Sequence, residues 1–410
     1  PRRPLGTSGL EITTVGLGAW AIGGSWTWGW GPQDDDASLA ALREALDAGI
    51  NWVDTAAVYG LGHSEEVVGR FLRDLPHADR PLVFTKCGMV WDERDRTAEP
   101  RRTLAPASIR AECEASLRRL GVERLDLYQF HWPDEAGTAV EDSWAELLRL
   151  VDEGKVRAAG VCNFGTDLLE RCAAVRHVDS LQPPFSLVRR DTARRELPWC
   201  AARGTGVIAY SPMQSGLLTD GFDAAKLARL APDDFRHRSA HFRSPALEKN
   251  LALRDALRPV ARRHGTTVAA VAVAWVLAWP GVTGAIVGAR APGQVAGWLD
   301  AATLALTAED RAGIAAALGA TRAGAGPVRP EAALLRRQGD AGRQLHAEVL
   351  PAVQHDHLAG EGRGAEDEAH GVADLLRRRA PPERRALALP REVGLGLARA
   401  LERGAGADGV

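Results

Sequence analysis

The chain has 410 residues, with 51 basic and 53 acidic side chains and a formal net charge of −2. That balance argues against nucleic acid or an anionic membrane surface as its main partner. With 45% hydrophobic and 25% charged residues, it has the make-up of a soluble globular protein with an ample core. The five cysteines are scattered and contain no CxxC pair, which fits a reducing cytoplasm better than a disulfide framework. The first nine residues carry charge but no apolar run of the kind that opens a signal peptide, so a cytoplasmic protein is expected.

From about Leu5 to Leu318 short β-branched runs alternate with amphipathic helices. Strands are predicted at 14–17, 50–53, 82–85, 125–130, 156–161, 180–181, 207–210 and 285–287. Between the first two, Asp36 is placed to cap a helix that turns Leu39, Leu42 and Leu46 to one face and ends before Gly49. Ser108 is placed to cap another, with Ile109, Cys113, Leu117 and Leu120 inward and Gly121 as its stop. Trp144, Leu147, Leu148 and Val151 repeat the pattern before Gly154, and Thr166 opens the next helix. The apolar stretch 268–279 is too short to span a bilayer and reads as a buried helix. Several strands are apolar throughout, as when both faces are covered. Such regular alternation means a parallel α/β sheet, open or closed into a barrel.

Composition changes near Ala323, and the chain has no Phe, Trp or Tyr after Trp298. The α/β region is therefore expected to span 1–323, with an Ala/Arg/Gly-rich tail over 324–410, disordered or partly helical. Within the tail, 334–337 and 372–379 have helical character, and His355 and His357 flank Asp356 without the further ligands that a metal site needs.

Two motifs bear on chemistry. Gly16-Leu17-Gly18-Ala19-Trp20-Ala21 fits the dinucleotide pattern GxGxxG/A, which requires a helix to begin at once. Here the chain continues as a loop through Trp26, Trp28, Trp30 and Pro32, so the pattern is set aside and the loop reads as an aromatic wall over a pocket.

The second motif is dispersed. Asp54, Lys86 and His131 each directly follow a predicted strand, and Tyr59 lies five residues beyond Asp54. In a parallel barrel the C-terminal strand ends converge on one face, where active sites are built. Reduction of a carbonyl by hydride leaves negative charge on oxygen, so a proton donor must stand beside it. Tyr59 can donate. Lys86 would favour its ionised form and so make it a better acid, Asp54 would hold Lys86, and His131 would orient the substrate oxygen. No side chain supplies hydride, so a nicotinamide cofactor is implied.

The chain resembles the aldo-keto reductase family from Leu5 to about Arg329. The matches are Gly49-Ile50-Asn51-Trp52-Val53-Asp54-Thr55-Ala56, Tyr59-Gly60-Leu61-Gly62-His63-Ser64-Glu65-Glu66, Thr85-Lys86, Tyr128-Gln129-Phe130-His131-Trp132, 154–164 and Tyr210-Ser211-Pro212. The resemblance implies a (β/α)8 barrel that reduces an aldehyde or ketone with NADPH, with Asp54, Tyr59, Lys86 and His131 as the catalytic residues. It places Trp20 beside the nicotinamide, Asn163 and Gln182 on its carboxamide, and Tyr210 stacked on its ring. Ser211, Met213, Ser215, Gly216 and Leu217 would follow the pyrophosphate. Gly288, Arg290 and Gln294 would hold the adenosine and its 2′-phosphate, for which a guanidinium is suited. Cys162 replaces the usual Ser, and Gly297-Trp298 replaces an acidic–amide pair near the adenine. The competing reading is an NADPH-binding sensor or channel-associated subunit with little turnover. A metal-dependent hydrolase is disfavoured because the strand ends lack clustered His and carboxylate ligands.

Overall fold

The structure is a computed structural model that describes residues 1–231 and 234–330. Eight parallel strands close into a barrel in chain order. They are β1 (Val15–Gly18), β2 (Trp52–Asp54), β3 (Leu82–Cys87), β4 (Leu125–Phe130), β5 (Val156–Cys162), β6 (Ser180–Gln182), β7 (Gly206–Ala209) and β8 (Val282–Gly288). The fold is the expected (β/α)8 barrel, closed rather than open.

Side chains alternate between two cores, as the period of a strand requires. Val53, Val83, Tyr128, Phe130, Ala159, Val161, Leu181, Val207 and Val287 face the helices in one continuous outer core. Their neighbours Trp52, Phe84, Leu127, Ala158, Ile208 and Ile286 fill the barrel with Leu5, Leu10 and Ile12. Those last three come from a short antiparallel hairpin, Arg2–Pro4 with Glu11–Thr13. The hairpin caps the N-terminal mouth: Asn51 accepts from Thr13 N at 2.7 Å and donates to Glu11 O at 2.9 Å, and the Trp52 indole donates to Thr13 O at 2.8 Å. A Cβ on Gly16 would overlap the Trp52 ring, so glycine there is what admits the indole. With this end plugged, the C-terminal mouth is the one left for a site.

The helices form where the pattern puts them, with shifted starts. The first, α1 (Asp35–Asp47), is capped by Asp34, which accepts from Ala37 N at 2.8 Å. Asp36, the residue expected to cap, lies in the first turn, where a carboxylate complements the helix dipole. In Pro106–Leu120 the N-cap is Ala105, because Pro106 takes the first helical position, and the expected cap Ser108 instead donates to Glu112 at 2.8 Å. Gly121 ends that helix with φ 66°, as expected. All ten residues of Val268–Leu277 are buried, and Thr267 caps it. Among the described residues no helix is long and apolar enough to cross a membrane.

The packed chain runs past Ala323. Arg190 N donates to Ala325 O at 2.9 Å and the Arg190 guanidinium reaches Ala323 O at 3.1 Å. The barrel's chain therefore extends a few residues beyond the boundary drawn from composition. The tail helices at 334–337 and 372–379 and the His355-Asp356-His357 triplet lie outside the described residues.

Candidate active site

Two residues past each plug-facing side chain, the next inward position lies at the open mouth. Along β2 this step leads from Trp52 to Asp54, along β3 from Phe84 to Lys86, and along β4 from Leu127 to Gln129 and then His131. On β5 two such steps from Ala158 give Cys162, on β6 the position two past Ser180 is Gln182, and one step from Ile208 past β7 gives Tyr210. The polar ring of the site is thus the same alternation that fills the core, moved one rung up. Asp54 and Lys86 occupy the last turns of their strands rather than the residues after them.

Lys86 Nζ lies 2.5 Å from Asp54 Oδ1, donates to Thr55 O at 2.8 Å and reaches the Tyr59 hydroxyl at 3.3 Å. Gln182 Nε2 donates to the other Asp54 oxygen at 2.8 Å. The Tyr59 and His131 rings meet edge to face with centroids 5.5 Å apart. Asn163, held at φ 61°, donates to His131 O at 2.9 Å and accepts from the Tyr210 hydroxyl at 2.9 Å. The structure therefore brings together all four residues expected to be catalytic, with Asn163, Gln182 and Tyr210 beside them.

The loop carrying Tyr59 is fixed from behind. A Cβ on Gly60, at φ 63°, would overlap Gly23 O, so two backbones cross there without a side chain between them. Ser64 donates to Ala19 O at 2.9 Å, and buried Glu65 accepts from Thr85 at 2.6 Å and pairs with Arg119.

Burial governs the protonation states. It would lower Lys86, but Asp54 and Tyr59 outweigh it and hold the ammonium charged. Burial pushes the Tyr59 phenol up to about 12 against the pull of Lys86. The net shift is opposite to the one anticipated from Lys86 alone: the phenol is held protonated. His131 is driven well below the ordinary histidine value by burial, then by the Lys86 and Arg102 charges, so its imidazole is neutral.

A cleft of about 1470 Å³ runs outward from this centre, lined by Trp20, Trp26, Trp132, Met213, Ser215 and Arg290 among others. Trp20 packs on Trp30 and Phe235 with centroids 5.5 and 5.1 Å away. Ser211, Gln214 and Ser215 all have positive φ, and with Gly216 they make a tight turn along the cleft floor. Leu217 packs its side chain fully buried in the outer core, and Thr219 and Asp220 line the cleft beyond it. At the far end Gly288, Arg290 and Gln294 line the cleft. Arg290 Nε donates to Gln33 at 2.7 Å, its Nη2 to Pro32 O at 2.7 Å, and its backbone N to Gln294 at 2.8 Å.

The segment after Leu218, expected from sequence to line the pocket, supplies a strap over the cleft. Phe235 packs on Trp20 and Trp30, the Arg236 guanidinium lies 4.5 Å over Trp30, and Arg238 lies 4.8 Å over Trp28 and donates to Thr27 O at 3.2 Å. One signal was available: the connection between β7 and the helix Ala246–Arg263 is far longer than barrel loops usually are, a mark of functional segments.

A parallel barrel with a buried Asp–Lys pair beneath a tyrosine and a histidine, opening on a long cleft, is the framework of a carbonyl oxidoreductase. The chain belongs to the aldo/keto reductase family, which it matches over residues 14–318. It is 34% identical over 305 residues to the aldo-keto reductase YhdN of Bacillus subtilis (strain 168), covering 74% of this chain and 89% of that one. It is also 34% identical over 302 residues to the NADH-specific methylglyoxal reductase of Escherichia coli (strain K12), covering 71% and 90%. The solved glycerol dehydrogenase AKR11B4 from Gluconobacter oxydans superposes with a TM-score of 0.72 at 39% identity, over 80% of this chain and 98% of that one. The protein is accordingly an oxidoreductase that acts on a small carbonyl compound with a nicotinamide cofactor.

Proposed function

We propose that the protein reduces an aldehyde or ketone to an alcohol with NADPH, and that Tyr59 is the proton donor. The observation that carries this reading is the chain of contacts from Asp54 through Lys86 to the Tyr59 hydroxyl, at 2.5 and 3.3 Å, at the base of the cleft. The residues present suit a nicotinamide dinucleotide. Gln182 Oε1 has no protein partner among the described residues and Asn163 keeps one free amide proton, which together match the donor and acceptor of a primary carboxamide. Tyr210 offers an aromatic face beside them, and the same cleft extends to Gly288, Arg290 and Gln294.

When bound, the cofactor supplies the hydride. The chain's own work is to hold the carbonyl and deliver a proton. Neutral His131 can donate a hydrogen bond to the substrate oxygen without competing for its proton. Tyr59, held protonated, gives up its phenolic proton as negative charge develops on that oxygen. Lys86 then stabilises the tyrosinate, and Asp54 keeps Lys86 charged and aimed. Trp26 and Trp132 wall the reacting centre and exclude water.

NADPH is favoured by Arg290 at the far end, where a 2′-phosphate would lie; Arg236 also lines the cleft but is paired with Asp234 at 2.7 Å. Among relatives of this similarity one is NADH-specific, so the preference is a property to be measured. A cytoplasmic setting fits the five cysteines, all buried and unpaired.

The experiment is consumption of NADPH, with NADH in parallel, over aryl aldehydes, short sugars, pyridoxal and methylglyoxal, and the reverse reaction with glycerol. Turnover with a preference for NADPH supports the reading. NADPH binding with no turnover on any of these would point to a sensor or channel-associated role.

A further inference from the structure

Gln129 is a buried amide that neither packing nor the chemistry above accounts for. It lies inside the barrel, fully enclosed, on a strand where Leu127 and Phe130 beside it are apolar. Its Oε1 faces Gln182 Nε2 at 3.4 Å and Ser180 Oγ at 3.4 Å, both donors. Its Nε2 makes no hydrogen bond of ordinary geometry among the described residues, although the side chain is near enough to the Asp54 carboxylate to help lower its pKa. A leucine or methionine would fill the same volume but would offer Gln182 and Ser180 no acceptor.

The path to Gln182 is built into the sheet. Gln129 pairs in register with Gly160, and Gly160 with Ser180. A Cβ on Gly160 would overlap Ser180 Oγ and press on Gln129 Cγ, so the glycine leaves the lane through which Gln129 reaches across β5 to β6.

We propose that Gln129 is a positioning residue for the cofactor: it fixes the amide of Gln182 so that Gln182 Oε1 faces the cleft and accepts from the nicotinamide carboxamide. The proposal rests on the assignment of Gln182 made above. Gln182 Nε2 has two protons, and the structure gives each an acceptor, Asp54 Oδ2 at 2.8 Å and Gln129 Oε1 at 3.4 Å. With both committed, rotation of the amide would set its oxygen against the Asp54 carboxylate and against another amide oxygen. Only one orientation satisfies the group, and it presents an acceptor to the ligand. Asp54 alone leaves the second proton of Gln182 unheld; Gln129 completes the lock.

The test compares binding of NADPH with that of its 3-acetylpyridine analogue, whose –COCH3 cannot donate to Gln182 Oε1, by quenching of tryptophan fluorescence. Wild type should bind NADPH more tightly by about 3- to 10-fold, the worth of one hydrogen bond. Gln129→Met keeps the volume, and Ser180→Ala removes the donor that orients the Gln129 amide while changing the core least. Both should bring the ratio of the two dissociation constants close to one, with the analogue's own constant changed less than about twofold. A purely structural role would weaken both ligands together and leave the ratio as in wild type, which overturns the proposal. If Gln129→Met does not fold, Ser180→Ala decides alone. A wild-type ratio of one would remove the Gln182 contact itself, and the proposal with it.

Discussion

Lys86 and Asp54 form an ion pair at 2.5 Å in which both side chains are buried. A buried pair of this kind contributes less to stability than its geometry implies, because both charges have lost their water. Removing one partner, however, leaves the other stranded. Lys86→Met should destabilise the fold by about 3–5 kcal/mol and lower kcat by at least about 10²-fold. Adding Asp54→Asn should restore most of the stability and none of the activity. Thermal unfolding and steady-state rates on the two variants separate these effects, and recovery of turnover in the double variant would contradict the role given to Lys86.

The neutral state of His131 has a consequence for pH. Its folded pKa is depressed well below the ordinary 6.5, chiefly by burial. Between those values the unfolded chain binds a proton that the folded chain does not. The stability is therefore fully present above about pH 6.5 and is lost as pH falls below it. His241 is shifted in the same direction. His131→Gln should flatten the fall in Tm between about pH 7 and 5; an unchanged slope would show that folding does not depress the His131 pKa.

Gly16 is predicted to tolerate no side chain. A Cβ there overlaps the Trp52 indole, whose N–H is tied to Thr13 O and cannot swing away freely. Gly16→Ala should cost about 1–3 kcal/mol by overpacking, read as a lowered midpoint of urea unfolding. Wild-type stability would mean that Trp52 repacks without loss.

At the far end of the cleft, Arg290→Ala should raise the KM for NADPH by about 10- to 100-fold, the scale of a charged hydrogen bond. The KM for NADH should move far less. An equal rise for both cofactors would assign Arg290 to holding Gln33 and Pro32 rather than to a phosphate.

Much of the site was legible because the barrel turns sequence order into spatial order. Asp54, Lys86 and His131 end apolar runs on consecutive strands, and a run's end in a parallel barrel is a place on one rim. The strand register makes the same residues inward-facing, which alternation from Trp52 and Phe84 already implies. Local competition was harder to see. Asp34, Asp35 and Asp36 are all competent caps, and only the path of the chain into α1 selects Asp34. Leu217 follows a turn with positive φ at Gln214 and Ser215 and packs its side chain in the outer core, a placement that the loop sequence does not report. The net pKa of Tyr59 depends on burial, which sequence does not report, and the strap of Phe235, Arg236 and Arg238 has no periodicity to announce it.

The central claim is that Tyr59 delivers the proton, and Tyr59→Phe tests it most directly, since it keeps the ring against His131 and removes only the hydroxyl near Lys86. The measurement is kcat for aldehyde reduction alongside the dissociation constant for NADPH. The account predicts a fall in kcat of about 10²–10⁴-fold with cofactor affinity nearly unchanged. Full turnover in the phenylalanine variant would contradict it.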